Sequence, residues 1–340
     1  MTETVLTRNE LHELIRSALV HSGVAPENVL PVAAALTAAE VDGHEGHGLT
    51  RVPAYAAQVR AGKVDGSVRP LLRRHRPAFI EVDAQFGFAY PALDVAICDL
   101  PALARANGIA AAAITHSHHF GVAGQHCERL ADAGLMAFAF GNAPKAMAPH
   151  GGRLALYGTN PIAFAIPRSA GPPVVIDLAL SVAARGLVMA AAQKGEPIPE
   201  GWALDVRGQP TTDAAQAMAG TMVPAGGAKG AALALMIELM AGAFIGGHFA
   251  YEASSLFEDK GPPPNLAQFL IAVDVGLMNG ADRAGARVDA MAAEIEAQGA
   301  RLPGSRRLAN RERALRDGLA LSADLVNKVR ALAGETSVSA

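Results

Sequence analysis

From residue 7 to residue 40 apolar positions recur three to four apart, the period of helices that bury one face. Thr7 and Glu10 stand three apart at the start of this stretch, as in a capping box. Pro26, after Ala25, opens a second helix, where the missing proline N–H costs nothing. The pattern then changes. Phe79–Asp83 reads as a half-buried strand, and Pro91–Asn107 as a helix closed by Gly108. Ile109–Ile114 is an apolar strand that stops at the polar cluster Thr115–His119. Gly124–Ala133 reads as a helix closed by Gly134, and Leu135–Phe140, Ile162–Ile166 and Val174–Ile176 as strands. Thr221–Gly242 holds a glycine turn and then a long Ala/Leu/Met helix, and Phe269–Val273 is a late strand. From Asp282 to Gly334 the pattern is helical and charged again, interrupted at Leu302–Arg307. Strands alternating with helices predict an α/β body. The expected layout joins residues 1–75 and 281–340 as a helical domain around an α/β body of residues 76–280.

A length of 340 residues exceeds one typical core, so two or three subdomains are expected. With 29 basic and 32 acidic residues the net charge is −3, which argues against nucleic acid or an anionic membrane as partner. The apolar run near Ala231–Ile245 contains Glu238 and is too short and too polar for a membrane span, so it reads as a buried helix. The start, Met1–Thr4, is polar and acidic, unlike a secretory signal, and the two cysteines, Cys98 and Cys127, imply no disulfide framework. A cytoplasmic location is the expectation.

Within this frame the run Asp42–Tyr55 carries the most pointed chemistry. His47 can pass a proton near neutral pH, and Arg51 offers a planar cationic fork for a carboxylate. Four residues apart, they share a face if the segment is helical. A proton donor beside a carboxylate clamp suits the reduction of a 2-oxo acid; the plain alternative is two solvated surface groups. No Gly-x-Gly-x-x-Gly follows a strand, so a Rossmann turn is unsupported. The segment Pro224–Gly230 could cradle a phosphate through its glycines, a helix N-terminus and Lys229, or be a plain turn. His118 and His119 sit at a strand-to-helix edge, where α/β proteins bind ligands, or are satisfied by backbone bonds. Thr159 and Asn160 form a polar break that could bond substrate or cofactor, or make an Asx-type turn. Asp177 either caps a helix or accepts from a ribose hydroxyl. The histidine clusters His44/His47 and His116/His118/His119 lack a closed ligand pattern, and no metal is expected. Ser117 and Ser181 show no nucleophile arrangement, and Cys127 reads as a structural thiol.

Taken in order, several stretches resemble the type 2 malate/L-lactate dehydrogenase family. They are His47-Gly48 with Arg51, Pro53 and Tyr55; Ser117–Gly121; Gly158–Pro161; Pro199–Ala203 with Asp205; Pro210–Asp213; and Gly226–Gly230. The resemblance spans roughly residues 5–335. It implies a non-Rossmann nucleotide-binding domain of the sulfolactate/malate dehydrogenase-like fold, lying at about residues 110–280, and usually a homodimer. It further implies hydride exchange between NADP or NAD and C2 of a small carboxylate substrate. By resemblance His47 is the proton donor, Arg51 the substrate-carboxylate anchor and Thr159 a substrate contact. His119, Phe120, Gly121, Val122, Ala123, Asp177, Leu178, Ala179, Arg185, Gly186, Lys229, Gly304, Ser305, Arg306 and Arg307 would line the cofactor. Adjacent Arg306 and Arg307 can bind a 2′-phosphate, which tilts the expectation toward NADP. Two departures stand out. Gly46 occupies a position where relatives commonly carry Ser, and Leu187 one where the imine-reducing branch carries Asp. Both residues are thought to serve a proton relay there, so a cyclic-imine reductase is the weaker alternative, with a non-catalytic binding protein as another. Glu252–Ser255, Gly261–Pro264 and Ala184–Gly186 look most like the bacterial sulfolactate dehydrogenase branch.

Overall fold

The computed structural model describes residues 2–335. The chain opens with β1 (Glu3–Leu6), α1 (Arg8–His21), α2 (Pro26–Val41), two 3-10 turns (Glu45–His47 and Leu49–Arg51) and α3 (Val52–Arg60). The body follows as β2 (Leu71–Arg76), β3 (Phe79–Asp83), α4 (Ala89–Asn107), β4 (Ile109–Ser117), α5 (Ala123–Asp132), β5 (Leu135–Gly141), β6 (Ile162–Ile166) and β7 (Val174–Leu178). An excursion holds α6 (Arg185–Lys194), β8 (Ala203–Leu204), β9 (Pro210–Thr211), α7 (Ala214–Ala219), β10 (Thr221–Met222) and α8 (Ala228–Glu238), which runs into a π turn at Leu239–Phe244. β11 (Leu266–Asp274), α9 (Gly276–Asn279), α10 (Ala281–Ala297), α11 (Ser305–Asp317), β12 (Leu319–Ser322) and α12 (Ala323–Leu332) complete it.

The main sheet has seven strands in the order β2-β3-β4-β11-β5-β6-β7. Only the β3–β4 pair is parallel; β11 enters the middle antiparallel to both neighbours. Alanines at 110, 112, 137, 139, 163, 165 and 272 line the buried face, and their small side chains let α4 and α5 lie close against it. β4 runs on through Thr115, His116 and Ser117 instead of stopping at Ile114, because β3 pairs with Thr115 and β11 with Ser117.

A second core joins the chain ends. Leu11, Ile15, Val32, Leu36, Leu49 and Tyr55 pack with Ala314, Val326 and Val329, and the β1–β12 pair closes it. The Thr7–Glu10 capping box forms: the Glu10 N–H donates to Thr7 Oγ1 at 3.2 Å, and the Thr7 N–H to Glu10 Oε2 at 2.7 Å. Phe88 and Tyr90, at the start of α4, reach from the sheet body into this core. α10, expected in the helical layer, stands apart from it. Gly285 lies against Ser169, and Asp289 pairs with Arg168 at 2.6 Å, so α10 docks beside the β6–β7 connection. A third, smaller core under the excursion gathers Met147, Tyr157, Val188, Ile198 and Ile237.

Candidate active site

His47 and Arg51 do not share a regular helix. Gly48 separates the two 3-10 turns with a backbone that is neither helical nor extended (φ −102°, ψ −130°). The pair is held by Arg51 itself, whose Nε donates to the Gly46 carbonyl at 2.7 Å. The Phe257 ring covers the guanidinium at 4.8 Å. Arg51 Nη1 is buried without a partner. With Nε committed, the terminal nitrogens are the ones left to grip an anion.

The half-buried His47 ring meets the His119 ring edge-on at 6.2 Å. Burial, reinforced by the charge on Arg51, pushes His47 down to about 3, so its imidazole is neutral near pH 7. His119 is tied into the interior. The Gly121 N–H donates to His119 Nδ1 at 3.1 Å, which places the ring hydrogen on Nε2, donated to the Tyr55 hydroxyl at 2.6 Å. That hydroxyl lies 3.1 Å from the Tyr90 hydroxyl. A buried chain His119–Tyr55–Tyr90 thus backs the His47–Arg51 recess. His118 packs among Tyr55, Phe88 and His119, and burial pushes it to about 3.

The second group of expected residues gathers at the end of β7. Asp177 accepts the Gly124 N–H at 2.7 Å, so one oxygen serves the first turn of α5 as a helix cap does. Leu178 and Ala179 are exposed beyond it. The Leu180 N–H donates to the Thr159 carbonyl at 2.8 Å, and the Ala225 N–H to the Leu180 carbonyl at 2.9 Å. These bonds bring Thr159, the Asp177–Ala179 strand end and the Pro224–Gly230 turn together. Gly226 and Gly227 take positive φ, and a Cβ on either would meet nothing, so a ligand can approach this backbone closely. Lys229 is exposed in the first turn of α8, and Arg185 and Gly186 open α6, with space beside Gly186. Phe120, Val122 and Ala123 are buried, so this segment offers main-chain groups, with Gly121 half-buried between them. Gly304 lies against the Val175 carbonyl, near the start of β7, so Gly304–Arg307 pack beside the same strand.

The cofactor role expected of Arg307 needs correction. Arg307 is buried and committed to carboxylates: its Nη1 lies 2.6 Å from Glu128 and 3.3 Å from Asp42. Arg311 binds the same two acids at 3.1 and 2.9 Å. Arg307 therefore ties α11 to α2 and α5, and among the two adjacent arginines Arg306, which is exposed, is the one open to a phosphate. Asn160 is also structural. At φ 38° and fully buried, its side chain accepts from Ala143 N–H and donates to the Ala234 carbonyl and to Glu238. Among the described residues no three of His, Cys, Asp and Glu gather as a group that could hold a metal ion.

Sequence reasoning missed Glu40, Gln58, Lys63 and Phe257. A signal existed for Gln58: Arg51, Tyr55 and Gln58 recur at i, i+4 and i+7, one face of α3 and of the turn that leads into it.

Residues 6–330 match the malate/L-lactate dehydrogenase family. The chain belongs to that family. It is 48% identical over 331 residues to a (2R)-3-sulfolactate dehydrogenase (NADP(+)) from Chromohalobacter salexigens, covering 97% of this chain and 98% of that one. It is 39% identical to a Delta(1)-pyrroline-2-carboxylate reductase from Ancylobacter novellus, over 96% and 97% of the two chains. The crystal structure of delta1-piperideine-2-carboxylate reductase from Pseudomonas syringae superposes with a TM-score of 0.91 at 35% identity, covering 97% of this chain and 99% of that one.

Proposed function

We propose that this family member is an NAD(P)-dependent oxidoreductase that interconverts a small 2-oxo acid and its 2-hydroxy acid. One observation carries the reading: a neutral, half-buried His47 stands four residues from an Arg51 whose terminal nitrogens are unclaimed. Arg51 holds the substrate carboxylate through Nη1 and Nη2, because Nε is bound to Gly46. During oxidation neutral His47 takes the proton from the C2 hydroxyl, and during reduction protonated His47 returns it. A carboxylate on Arg51 offsets the charge that helps depress His47, which assists its protonation once substrate is bound. Thr159 borders the substrate. A bound nicotinamide dinucleotide supplies or accepts the hydride.

The site fits such a group. The open glycines Gly186, Gly226 and Gly227, the first turns of α6 and α8, Lys229 and Arg306 present the amides and cations that a pyrophosphate and a 2′-phosphate require. The main chain of His119–Ala123, Asp177–Ala179, Arg185 and Gly304–Ser305 completes the lining. The exposed Arg306 and the NADP(+) named for the Chromohalobacter relative favour NADP over NAD.

We further propose a homodimer, with Leu235, Met236, Leu239 and Phe244 of α8 and its π turn, all exposed, as part of the contact. A cytoplasmic location agrees with two free cysteines. The absence of Ser at 46 and Asp at 187 favours oxo acids over cyclic imines. The test is NADPH and NADH consumption with pyruvate, oxaloacetate, 3-sulfopyruvate and two cyclic imine carboxylates. Turnover of an oxo acid with NADPH is expected; consumption with the imines alone would overturn the substrate class.

A further inference from the structure

Residues 245–265 join the end of the α8 segment to β11 without regular structure. An irregular connection of that length inside a compact body is usually functional. This one is fastened down. Lys63, just past the end of α3, is buried, and its ammonium donates to the carbonyls of Ser255 at 2.6 Å, Glu258 at 2.9 Å and Lys260 at 2.9 Å. All three ammonium hydrogens are thereby used. Gln58, also buried, donates from Nε2 to the carbonyls of Leu256 at 3.1 Å and Glu258 at 3.0 Å. Those two carbonyls flank Phe257. Ser254 Oγ donates to the Pro262 carbonyl at 2.7 Å, and Pro262, Pro263 and Pro264 stiffen the return.

The residue at the centre of this framework is Phe257, whose ring lies over the Arg51 guanidinium at 4.8 Å and remains 41% exposed. Arg51 and Gln58 belong to the same face of the same segment, so the element that presents the cation also fixes the ring that covers it. A buried lysine with three carbonyls and a buried glutamine with two are costly ways to hold a surface loop. They make sense if the position of the ring matters.

We propose that Ser255–Lys260 is a strap, fixed by Lys63 and Gln58, that holds Phe257 over Arg51 and makes Phe257 a specificity-determining residue of the substrate site. The ring blocks one face of the guanidinium, so a carboxylate must bind in the plane of the fork through the terminal nitrogens. The open side of the ring then borders the substrate's side chain. Lys63 is a positioning residue that acts through this ring. The proposal rests on the carboxylate-binding role given to Arg51 above.

The experiment compares wild type with Phe257→Ala, Phe257→Tyr, Lys63→Met, Gln58→Leu and the Lys63→Met/Phe257→Ala double variant. Three readouts are used: KM and kcat for a 2-oxo acid, dissociation of oxamate, and amide hydrogen exchange across residues 253–261. Phe257→Ala is expected to raise KM and the oxamate Kd by about 3- to 30-fold, the scale of a cation–π contact, with kcat nearly unchanged. Phe257→Tyr restores wild-type values. Lys63→Met speeds exchange in the strap and raises KM in the same way; in the double variant it adds little further. If Lys63→Met does not fold, Gln58→Leu carries the same expectation. Unchanged KM and oxamate Kd in Phe257→Ala, or unchanged exchange in the folded strap variants, would overturn the proposal. Oxamate binding that depends on Phe257 in a chain that reduces no 2-oxo acid would support the strap and overturn the functional reading instead.

Discussion

Glu40 Oε2 accepts the Leu49 N–H at 2.7 Å, and this one bond fixes the backbone midway between His47 and Arg51. It links the last turn of α2 to the broken segment that carries both side chains. Gly48 belongs to the same contact, since a Cβ there would overlap the Glu40 carboxylate. Burial, opposed by the Leu49 bond and aided by the charge of Glu45, pushes the Glu40 carboxyl up to about 7.

Glu40→Gln keeps an oxygen acceptor and is expected to hold kcat/KM near wild type. Glu40→Ala leaves the Leu49 N–H unsatisfied, a penalty of about 1–3 kcal/mol, and misplaces His47 and Arg51. Its kcat/KM should fall about tenfold or more, with Gly48→Ala behaving alike. Because the folded carboxyl holds its proton up to about 7, its contribution to stability is complete below the ordinary 4.5 and lost as pH rises through 7. Thermal denaturation should therefore show Glu40→Gln gaining on wild type as pH rises from about 4.5 to about 7, and holding that gain at higher pH.

The depressed His47 sets the pH dependence of turnover. As base in oxidation it is ready at any pH above about 3, so kcat/KM for a 2-hydroxy acid should stay level down to about pH 5. An unperturbed imidazole would lose activity below its ordinary 6.5. Reduction consumes a proton, and its kcat/KM should fall about tenfold per pH unit across the neutral range. Stability moves with the same group and with buried His118 and His126, pushed to about 3 and about 4. The unfolded chain takes up protons below 6.5 that the fold refuses. Each histidine thus removes up to about 1.4 kcal/mol per pH unit as pH falls below that value.

The two adjacent arginines should separate cleanly. Arg306→Ala is expected to raise KM for NADPH by about 10- to 100-fold and leave KM for NADH and the melting temperature in place. Arg307→Ala strips one partner from a buried ion-pair group and should cost about 3–5 kcal/mol of stability. Equal use of both cofactors, unchanged in Arg306→Ala, would remove the 2′-phosphate role.

Local elements were legible because their signals are local. The Thr7–Glu10 box, the Gly108 helix end and the strands Phe79–Asp83 and Ile162–Ile166 stand where pattern and caps put them. Long-range pairings were not. Nothing near Leu266–Asp274 says that it enters between β4 and β5, and β1 finds its partner only at Leu319–Ser322. The same limit governs the site. His47 and Arg51 could be picked out by residue type and spacing, but Gly48 breaks the helix that spacing suggested. Arg307 looked free because Asp42 and Glu128 lie far away in sequence. Phe257 stayed hidden for the same reason, some two hundred residues from the arginine it covers.

The space beside Gly46 is open, and Leu187 is exposed at the start of α6, so both positions accept other side chains. Introducing Gly46→Ser with Leu187→Asp should leave the fold and melting temperature intact and raise turnover of cyclic imine carboxylates relative to oxo acids. An unchanged ratio would show that the two positions do not set this preference.

The central claim is that His47 exchanges the substrate proton beside an arginine-held carboxylate. The most direct measurement is kcat for the reduction of a 2-oxo acid by His47→Gln, with NADPH affinity followed by fluorescence titration of the same preparation. The account predicts a loss of about 10²–10⁴ in kcat with nearly unaltered cofactor binding. A kcat close to wild type would contradict it.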